Sequence, residues 1–143
     1  MNCMTILYNI QYIIMNNFFV LIFQDSYKME YRANIEKITV NNTFYRKVLH
    51  TTKNMQLVVM RLKPHDEIGM ERHAKSSQFI RIESGKAKAI IGNKQYYLKD
   101  GDSVIIPPNS YHNIIAVGNE DLHLYTIYTP PTHSKNTKQK NKQ

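Results

Sequence analysis

The stretch that decides the fold runs from residue 78 to residue 109 and reads QFIRIESGKAKAIIGNKQYYLKDGDSVIIPPN. It consists of short runs rich in β-branched and aromatic residues, separated by turn residues. The dipeptide Gly92-Asn93 suits a two-residue hairpin turn, and Asp100-Gly101 and Pro107-Pro108-Asn109 mark further turns. No part of it keeps an apolar period of 3.6 residues over three helical turns. The stretch therefore predicts antiparallel strands joined by tight turns.

The same pattern extends outward over residues 29–131. Eight strands are predicted, at residues 46–50, 55–62, 78–83, 87–91, 95–98, 103–106, 112–116 and 122–128. Many short strands of even spacing are typical of a sandwich or a barrel. The sequence has no internal repeat of 20 to 50 residues, which argues against a propeller or a solenoid. The sequence therefore predicts one all-β domain, an antiparallel β-barrel with few or no helices.

The composition agrees with a single globular domain. The chain has 143 residues, of which 42% are hydrophobic and 21% are charged, so wholesale disorder and collagen-like repeats are excluded. The single cysteine, Cys3, cannot form an internal disulfide, and a cysteine-based zinc finger is excluded for the same reason. A reducing compartment follows, and we expect a cytoplasmic protein.

The formal net charge of +8 does not indicate a nucleic-acid partner. Residues 132–143 contribute +4 through four lysines, and residues 29–131 contribute +4 through fourteen basic against ten acidic residues. Neither an aromatic-basic platform nor a recognition helix accompanies this dispersed charge. We therefore expect no nucleic-acid binding.

Two segments flank the predicted barrel. Residues 1–28 form an apolar N-terminal arm, in which nineteen residues without a charge, Thr5 to Phe23, come near the length of a membrane helix. Four amides interrupt them, so a membrane anchor is less favoured than a loosely docked arm or translated sequence upstream of a start at Met29. Residues 132–143 are predicted to be a disordered basic tail, with His133 as a solvated histidine.

Polar residues enter the apolar inward rows of the predicted strands. Glu71 and His73 are two positions apart, so on an extended strand both point to one face. Gln78 shares a face with Ile80 and Ile82, and these isoleucines indicate that the face is inward. A buried amide must find a partner or coordinate something.

His112 is aligned in the same way with Ile114, so Glu71, His73, Gln78 and His112 can converge inside one barrel. Two imidazoles, a carboxylate and an amide oxygen suit zinc, iron, manganese or nickel, and are too rich in nitrogen for magnesium or calcium. The alternative left open by spacing alone is a surface glutamate with two histidines satisfied in turns or in the core.

Two motifs resemble those of the cupin superfamily. GMERHAKSSQFIRIESG (69–85) is similar to the first cupin motif, and GDSVIIPPNSYHN (101–113) is similar to the second. The resemblance extends over residues 29–133 to small single-domain cupins described as mannose-6-phosphate isomerase-like. It implies a cupin-type jelly-roll barrel with a metal site.

The chain departs from the cupin pattern at three informative positions. Glu71 stands where the first histidine is usual, and Gln78 stands where the glutamate is usual. The resulting set of one Glu, one Gln and two His is similar to the zinc site of the larger mannose-6-phosphate isomerases. It argues against a reaction that requires three histidine ligands. Asn109 stands where a glycine is common. That position requires a left-handed turn conformation, which asparagine tolerates.

The resemblance implies an aldose–ketose isomerase of carbohydrate metabolism that interconverts mannose 6-phosphate and fructose 6-phosphate. It would use one divalent metal ion, with zinc favoured, held by the four residues above. Arg72, Lys75 and Ser77 lie in the connection near a barrel mouth and are the predicted substrate-binding residues. A metal-dependent oxygenase and a non-catalytic small-ligand-binding cupin are the alternatives.

The general base of such a reaction is not identified by the sequence. Glu71 is a candidate if it is not a ligand, and His123 and Tyr125 are others, although alternation places both opposite Leu124. Exposed aromatics and open sheet edges favour a homodimer.

Overall fold

The computed structural model describes residues 30–142, so the predicted arm at 1–28 lies outside the described residues. One short helix and nine strands follow along this part of the chain: α1 Ile35–Val40, β1 Arg46–Thr51, β2 Gln56–Leu62, β3 Ser77–Ser84, β4 Lys86–Ile91, β5 Lys94–Lys99, β6 Ser103–Ile106, β7 His112–Val117, β8 Leu122–Thr129 and β9 Lys138–Gln139. Within residues 30–142, no helix has the length and apolar character needed to cross a membrane.

The strands form two antiparallel sheets. The larger sheet has six strands in the order β6-β3-β8-β2-β1-β9, and the smaller has three in the order β5-β4-β7. Each of the eight predicted strands is present, with its ends shifted by no more than one residue. The prediction of an all-β antiparallel jelly roll with few helices is therefore confirmed.

The core is built by side chains from both sheets. Ile80, Ile82 and Leu124 come from the larger sheet, and Ala89 and Ile114 come from the smaller. All five are completely or almost completely buried. The strict alternation along β8, where every second residue is buried, is the expected signature of a strand with one face against a core.

The register between β3 and β8 gives this core a polar end. Ile82 pairs with Leu124, Ile80 pairs with Thr126, and Gln78 pairs with Tyr128. Because successive inward positions are two residues apart, the buried row changes from aliphatic to polar along the strands. The polar end is the place where a ligand can be held by side chains that rigid strands position.

Asn109 and Gly85 are two of the positions at which the backbone is left-handed. Asn109 has a φ of 64°, as predicted from its place in the second motif, and its backbone N–H donates to the carbonyl of His73 at 2.7 Å. Gly85 closes the first motif with a φ of 82°, and a Cβ there would lie 2.5 Å from the carbonyl oxygen of Asp121. The Asn109 turn therefore helps to position His73, while Gly85 allows two chain segments to approach closely.

The C-terminal segment differs from the predicted disordered tail. Its strand β9 pairs with β1, with Arg46 opposite Gln139 and Lys47 opposite Lys138. The side chain of Gln56, which is fully buried, holds the backbone of residues 132–133. Backbone hydrogen bonds to a sheet edge and to a buried amide need no apolar side chains in the segment, so its polar composition did not indicate this order.

Candidate metal centre

A backbone bridge brings the first and second motifs together. The N–H of Glu71 donates to the carbonyl of His112, and the N–H of His112 donates to the carbonyl of Glu71, both at 2.9 Å. His112 begins β7, whereas Glu71 lies in the connection between β2 and β3. Residues 41 positions apart in sequence are thus directly opposite each other, a geometry in which neighbouring side chains can interact.

Glu71, His73 and His112 form a compact group of possible metal ligands, and their ligand atoms all lie within 4.8 Å of one another. Oε1 of Glu71 is 3.2 Å from Nε2 of His73 and 3.3 Å from Nε2 of His112. The two imidazole rings are 5.4 Å apart between centroids. The structure therefore contains a possible His/Glu metal site, formed by three of the four predicted ligands.

His112 has the hydrogen bonding of a metal ligand. Its Nδ1 lies 2.8 Å from the carbonyl oxygen of Ser110, which can only accept, so Nδ1 carries the proton. In the neutral ring, Nε2 therefore presents its lone pair toward Glu71 and His73. This atom is buried and lies 3.3 Å from Oε1 of Glu71. A partner on Nδ1 that fixes the tautomer is a common feature of histidines that bind metals.

The charges of the group are coupled. Burial alone would raise the pKa of Glu71, but contacts with His112 and His73 outweigh burial and lower the pKa to about 2. Burial opposes charge on His112 too, yet Glu71 and the Ser110 carbonyl raise its pKa above the usual value. A carboxylate that is ionised at neutral pH beside two imidazoles is a donor set that suits a divalent cation such as zinc, since a cation can replace the proton on an imidazole nitrogen.

Gln78 lies at the polar end of the core and is fully buried. Its amide nitrogen donates to the hydroxyl oxygens of Thr126 at 3.2 Å and of Tyr128 at 3.1 Å, and its Oε1 has no hydrogen-bond partner. The Tyr128 ring in turn meets the His73 ring at 5.3 Å. An unpaired amide oxygen in this position fits a cation, while the role of Gln78 as a ligand stays a prediction.

Two further residues line this end of the core and were not predicted to do so. Tyr128 is completely buried, and the ring of His133 packs edge-to-face against it at 5.1 Å. Nε2 of His133 is buried and has no hydrogen-bond partner. Burial, followed by the charge of Arg46, lowers the pKa of His133 to about 4. The sequence around His133 is polar and carries no strand pattern, so only the fold reveals its position.

The predicted substrate-binding residues lie beside the group. Arg72 and Lys75 are exposed, Ser77 is half-buried, and the Arg72 guanidinium is 4.8 Å from the centroid of the Tyr111 ring. Their contact with a substrate stays a prediction. The candidate base Tyr125 packs instead against Phe79 at 5.9 Å.

Positive charge also gathers elsewhere on the domain. A cleft of about 580 Å³ is lined by Thr43, Tyr45, Arg61, Lys63, Asp66, Lys140, Asn141 and Lys142. None of the three possible metal ligands lines this cleft. The arrangement of Glu71, His73 and His112, rather than cavity volume, therefore identifies the candidate site.

The comparisons with known proteins agree with the fold and the motifs. A family model described as a cupin domain matches residues 58–128. The uncharacterized protein L612 of Acanthamoeba polyphaga mimivirus is 41% identical over 107 residues, which are 72% of this chain and 67% of that protein. About one third of that relative therefore has no counterpart in the alignment.

Solved structures give the same result. The crystal structure of BH2720 from Bacillus halodurans has a TM-score of 0.77 and 31% identity, covering 79% of this chain and 90% of that chain. A proposed sugar phosphate isomerase from Acidithiobacillus ferrooxidans has a TM-score of 0.51 and 25% identity, covering 55% of this chain and 51% of that chain.

Proposed function

This chain belongs to the cupin superfamily, and on that premise we propose that it is a metal-dependent aldose–ketose isomerase. Its substrate is a sugar phosphate, and the reaction interconverts mannose 6-phosphate and fructose 6-phosphate. Glu71, His73 and His112, joined by Gln78, bind one divalent ion, for which zinc is the first choice and iron, manganese and nickel are the others.

The observation that carries the proposal is the convergence of Glu71, His73 and His112 within 4.8 Å at the polar end of the core, where Glu71 and His73 are half-buried and His112 is buried. Their only formal charge is that of Glu71, so the site keeps a net charge near +1 when a divalent ion is bound. A bound ion of this kind polarises the oxygens on C1 and C2 of an aldose phosphate. Four protein ligands leave positions open for such oxygens on an ion that accepts six.

The residues of the chain supply the surroundings that this reaction needs. Isomerisation moves one proton from C2 to C1 and the hydroxyl proton of O2 to O1, without an external oxidant. The ring of Tyr128 and the aliphatic core are buried, and they would limit the access of bulk water from that side to a substrate held at the ion. The likeness to a proposed sugar phosphate isomerase supports this reaction among those that cupins catalyse.

The first experiment is elemental analysis of protein purified without added ions, followed by assays on mannose 6-phosphate with zinc, iron, manganese and nickel. We expect fructose 6-phosphate to form with at least one ion, and His112→Ala to abolish it. His65→Asn is the matched control, because His65 is exposed and its φ of 68° is one that asparagine tolerates.

Three results would redirect the proposal. Bound iron with oxygen uptake would favour the oxygenase, whereas bound zinc would argue against it. Absence of turnover with all four ions would refute the isomerase. A Gln78→Glu variant that changes only ligand affinity, without a change in rate or metal preference, would favour a binding cupin.

We also propose a homodimer formed through exposed sheet edges. Tyr97 on β5 is 75% exposed and Ile105 on β6 is 71% exposed, and both strands are edges of their sheets. Edge strands with exposed apolar side chains readily pair with another chain. Light scattering should give twice the chain mass, and Tyr97→Lys should lower it; a monomer at micromolar concentration would contradict the proposal.

A further inference from the structure

The C-terminal segment is fastened beside the candidate site by one buried side chain. Oε1 of Gln56 accepts hydrogen bonds from the N–H of His133 at 2.9 Å and of Thr132 at 3.3 Å. Nε2 of Gln56 donates to the carbonyl of His133 at 2.8 Å. Because Gln56 is fully buried on β2, these bonds fix the backbone of His133 relative to the barrel.

The ring of His133 is thereby brought to the polar end of the core. It packs on Tyr128, whose ring also contacts His73 and whose hydroxyl accepts from Gln78. Nε2 of His133 and Oε1 of Gln78 are both buried without hydrogen-bond partners. An unsatisfied buried polar atom costs about 1–3 kcal/mol, so two in one region indicate that a polar ligand completes their hydrogen bonding.

The binding partner of His133 differs from the metal ion that Glu71, His73 and His112 would bind. Among the described residues, the group whose ligand atoms come within 4.8 Å of one another contains Glu71, His73 and His112, but not His133. His133 therefore lies outside the ion's immediate ligands, although close enough for its charge state to respond to Glu71 and His73. A group at this position would be available to a molecule held by the ion rather than to the ion itself.

We propose that His133 is a substrate-contact residue, whose Nε2 forms a hydrogen bond with a hydroxyl group of a polyhydroxyl ligand held at the metal centre. Residues 132–133 then form part of the wall of the site, positioned by Gln56. This inference rests on the proposed function only in placing the ligand at the metal centre; it does not require that the ligand be isomerised.

The test is calorimetric titration of the full-length, zinc-loaded protein with mannose 6-phosphate, mannose and mannitol. We expect His133→Asn, which removes Nε2, to weaken binding about tenfold, the loss of about 1.4 kcal/mol expected for an unpaired hydroxyl. His133→Gln, whose amide reaches the position of Nε2, should remain within about threefold of the parent. His65→Asn is the matched control and should bind as the parent does.

Two further measurements separate a contact from a structural role. Zinc affinity, measured by competition with a chelator, should stay unchanged in His133→Asn. Gln56→Ala, which leaves the imidazole intact but frees its backbone, should weaken ligand binding in the same direction. Rescue by His133→Gln is the result that simple loss of packing on Tyr128 would not produce.

The inference is overturned if none of the three probes binds the parent, or if His133→Asn binds them as tightly as the parent. Equal losses in His133→Asn and His133→Gln, or a tenfold fall in zinc affinity, would also overturn it. If mannose 6-phosphate is not isomerised but mannose or mannitol binds in a His133-dependent manner, the isomerase fails and the inference stands. If mannose 6-phosphate is isomerised, and His133→Asn changes neither its turnover nor its binding, the isomerase stands and the inference fails.

Discussion

Replacing Gln56 by alanine tests whether the C-terminal segment is an integral part of the domain. The fully buried amide of Gln56 makes four hydrogen bonds, three to the backbone of residues 132–133 and one to Oγ1 of Thr51. At a net value of about 1 kcal/mol each, they amount to about 4 kcal/mol. Because a released segment regains hydrogen bonds to water, we expect unfolding free energy to fall by about 3 kcal/mol, or Tm by about 10 °C.

Urea denaturation of four chains measures this effect. The parent and Gln56→Ala are compared, each with and without residues 132–143, and the exposed Gln95→Ala serves as the control that should change stability by less than about 0.5 kcal/mol. If Gln56 acts through the segment, its replacement should cost at least about 2 kcal/mol less in the truncated chain. An equal cost in both backgrounds would refute the assignment, because Gln56 would then stabilise the barrel alone.

Three other predictions follow from the site and its turns. His112→Ala should lower zinc affinity at least about 100-fold in chelator competition, and an affinity within threefold of the parent would remove His112 from the ligands. In Gly85→Ala the new Cβ would meet the Asp121 carbonyl, so the free energy of unfolding in urea should fall by about 3 kcal/mol or more. Gly101→Ala, where the space is open, should lower it by about 1 kcal/mol. Equal losses in the two variants would contradict the close approach. The pKa of His133 is about 4 in the folded chain and about 6.5 in the unfolded chain, so the unfolded chain binds more protons between these two pH values. The free energy of unfolding should therefore rise by about 1–2 kcal/mol from pH 4 to pH 6.5 and level off above that. This pH dependence should be smaller in His133→Asn.

The strands could be predicted from the sequence because their signals are local, and so could the proximity of Glu71, His73 and His112. Alternation in 78–83 and 122–128 and the turn at Gly92-Asn93 fix strand ends to within one residue. Alternation along the predicted strands, together with the resemblance of the two motifs to those of cupins, predicts that Glu71, His73 and His112 converge, and the structure brings them together. Each of these features depends on side chains that a strand or turn requires at that position.

The C-terminal segment could not be predicted in the same way. Its order depends on backbone groups of residues 132–133 and on the partner Gln56, which precedes them by more than seventy positions. A lone glutamine in a strand has no pattern that distinguishes a surface residue from one that holds a distant backbone. The sequence wrongly predicts a solvated His133 for the same reason, because the residues that surround it, such as Tyr128, belong to other elements of the fold.

The same contacts connect stability with ligand binding. Gln56 fixes residues 132–133 to β2, and His133 rests on Tyr128 at the polar end of the core. A ligand that contacts His133 binds only while the segment is in place, so the free energy that holds the segment also favours the ligand-binding form. By the same linkage, a bound ligand must protect the segment from opening, by an amount that grows with the logarithm of its concentration above Kd. Leaving Nε2 of His133 buried and unpaired costs about 1–3 kcal/mol, and a hydrogen bond to a ligand would recover this cost. This is a physical reason for keeping a histidine in a segment of otherwise polar residues.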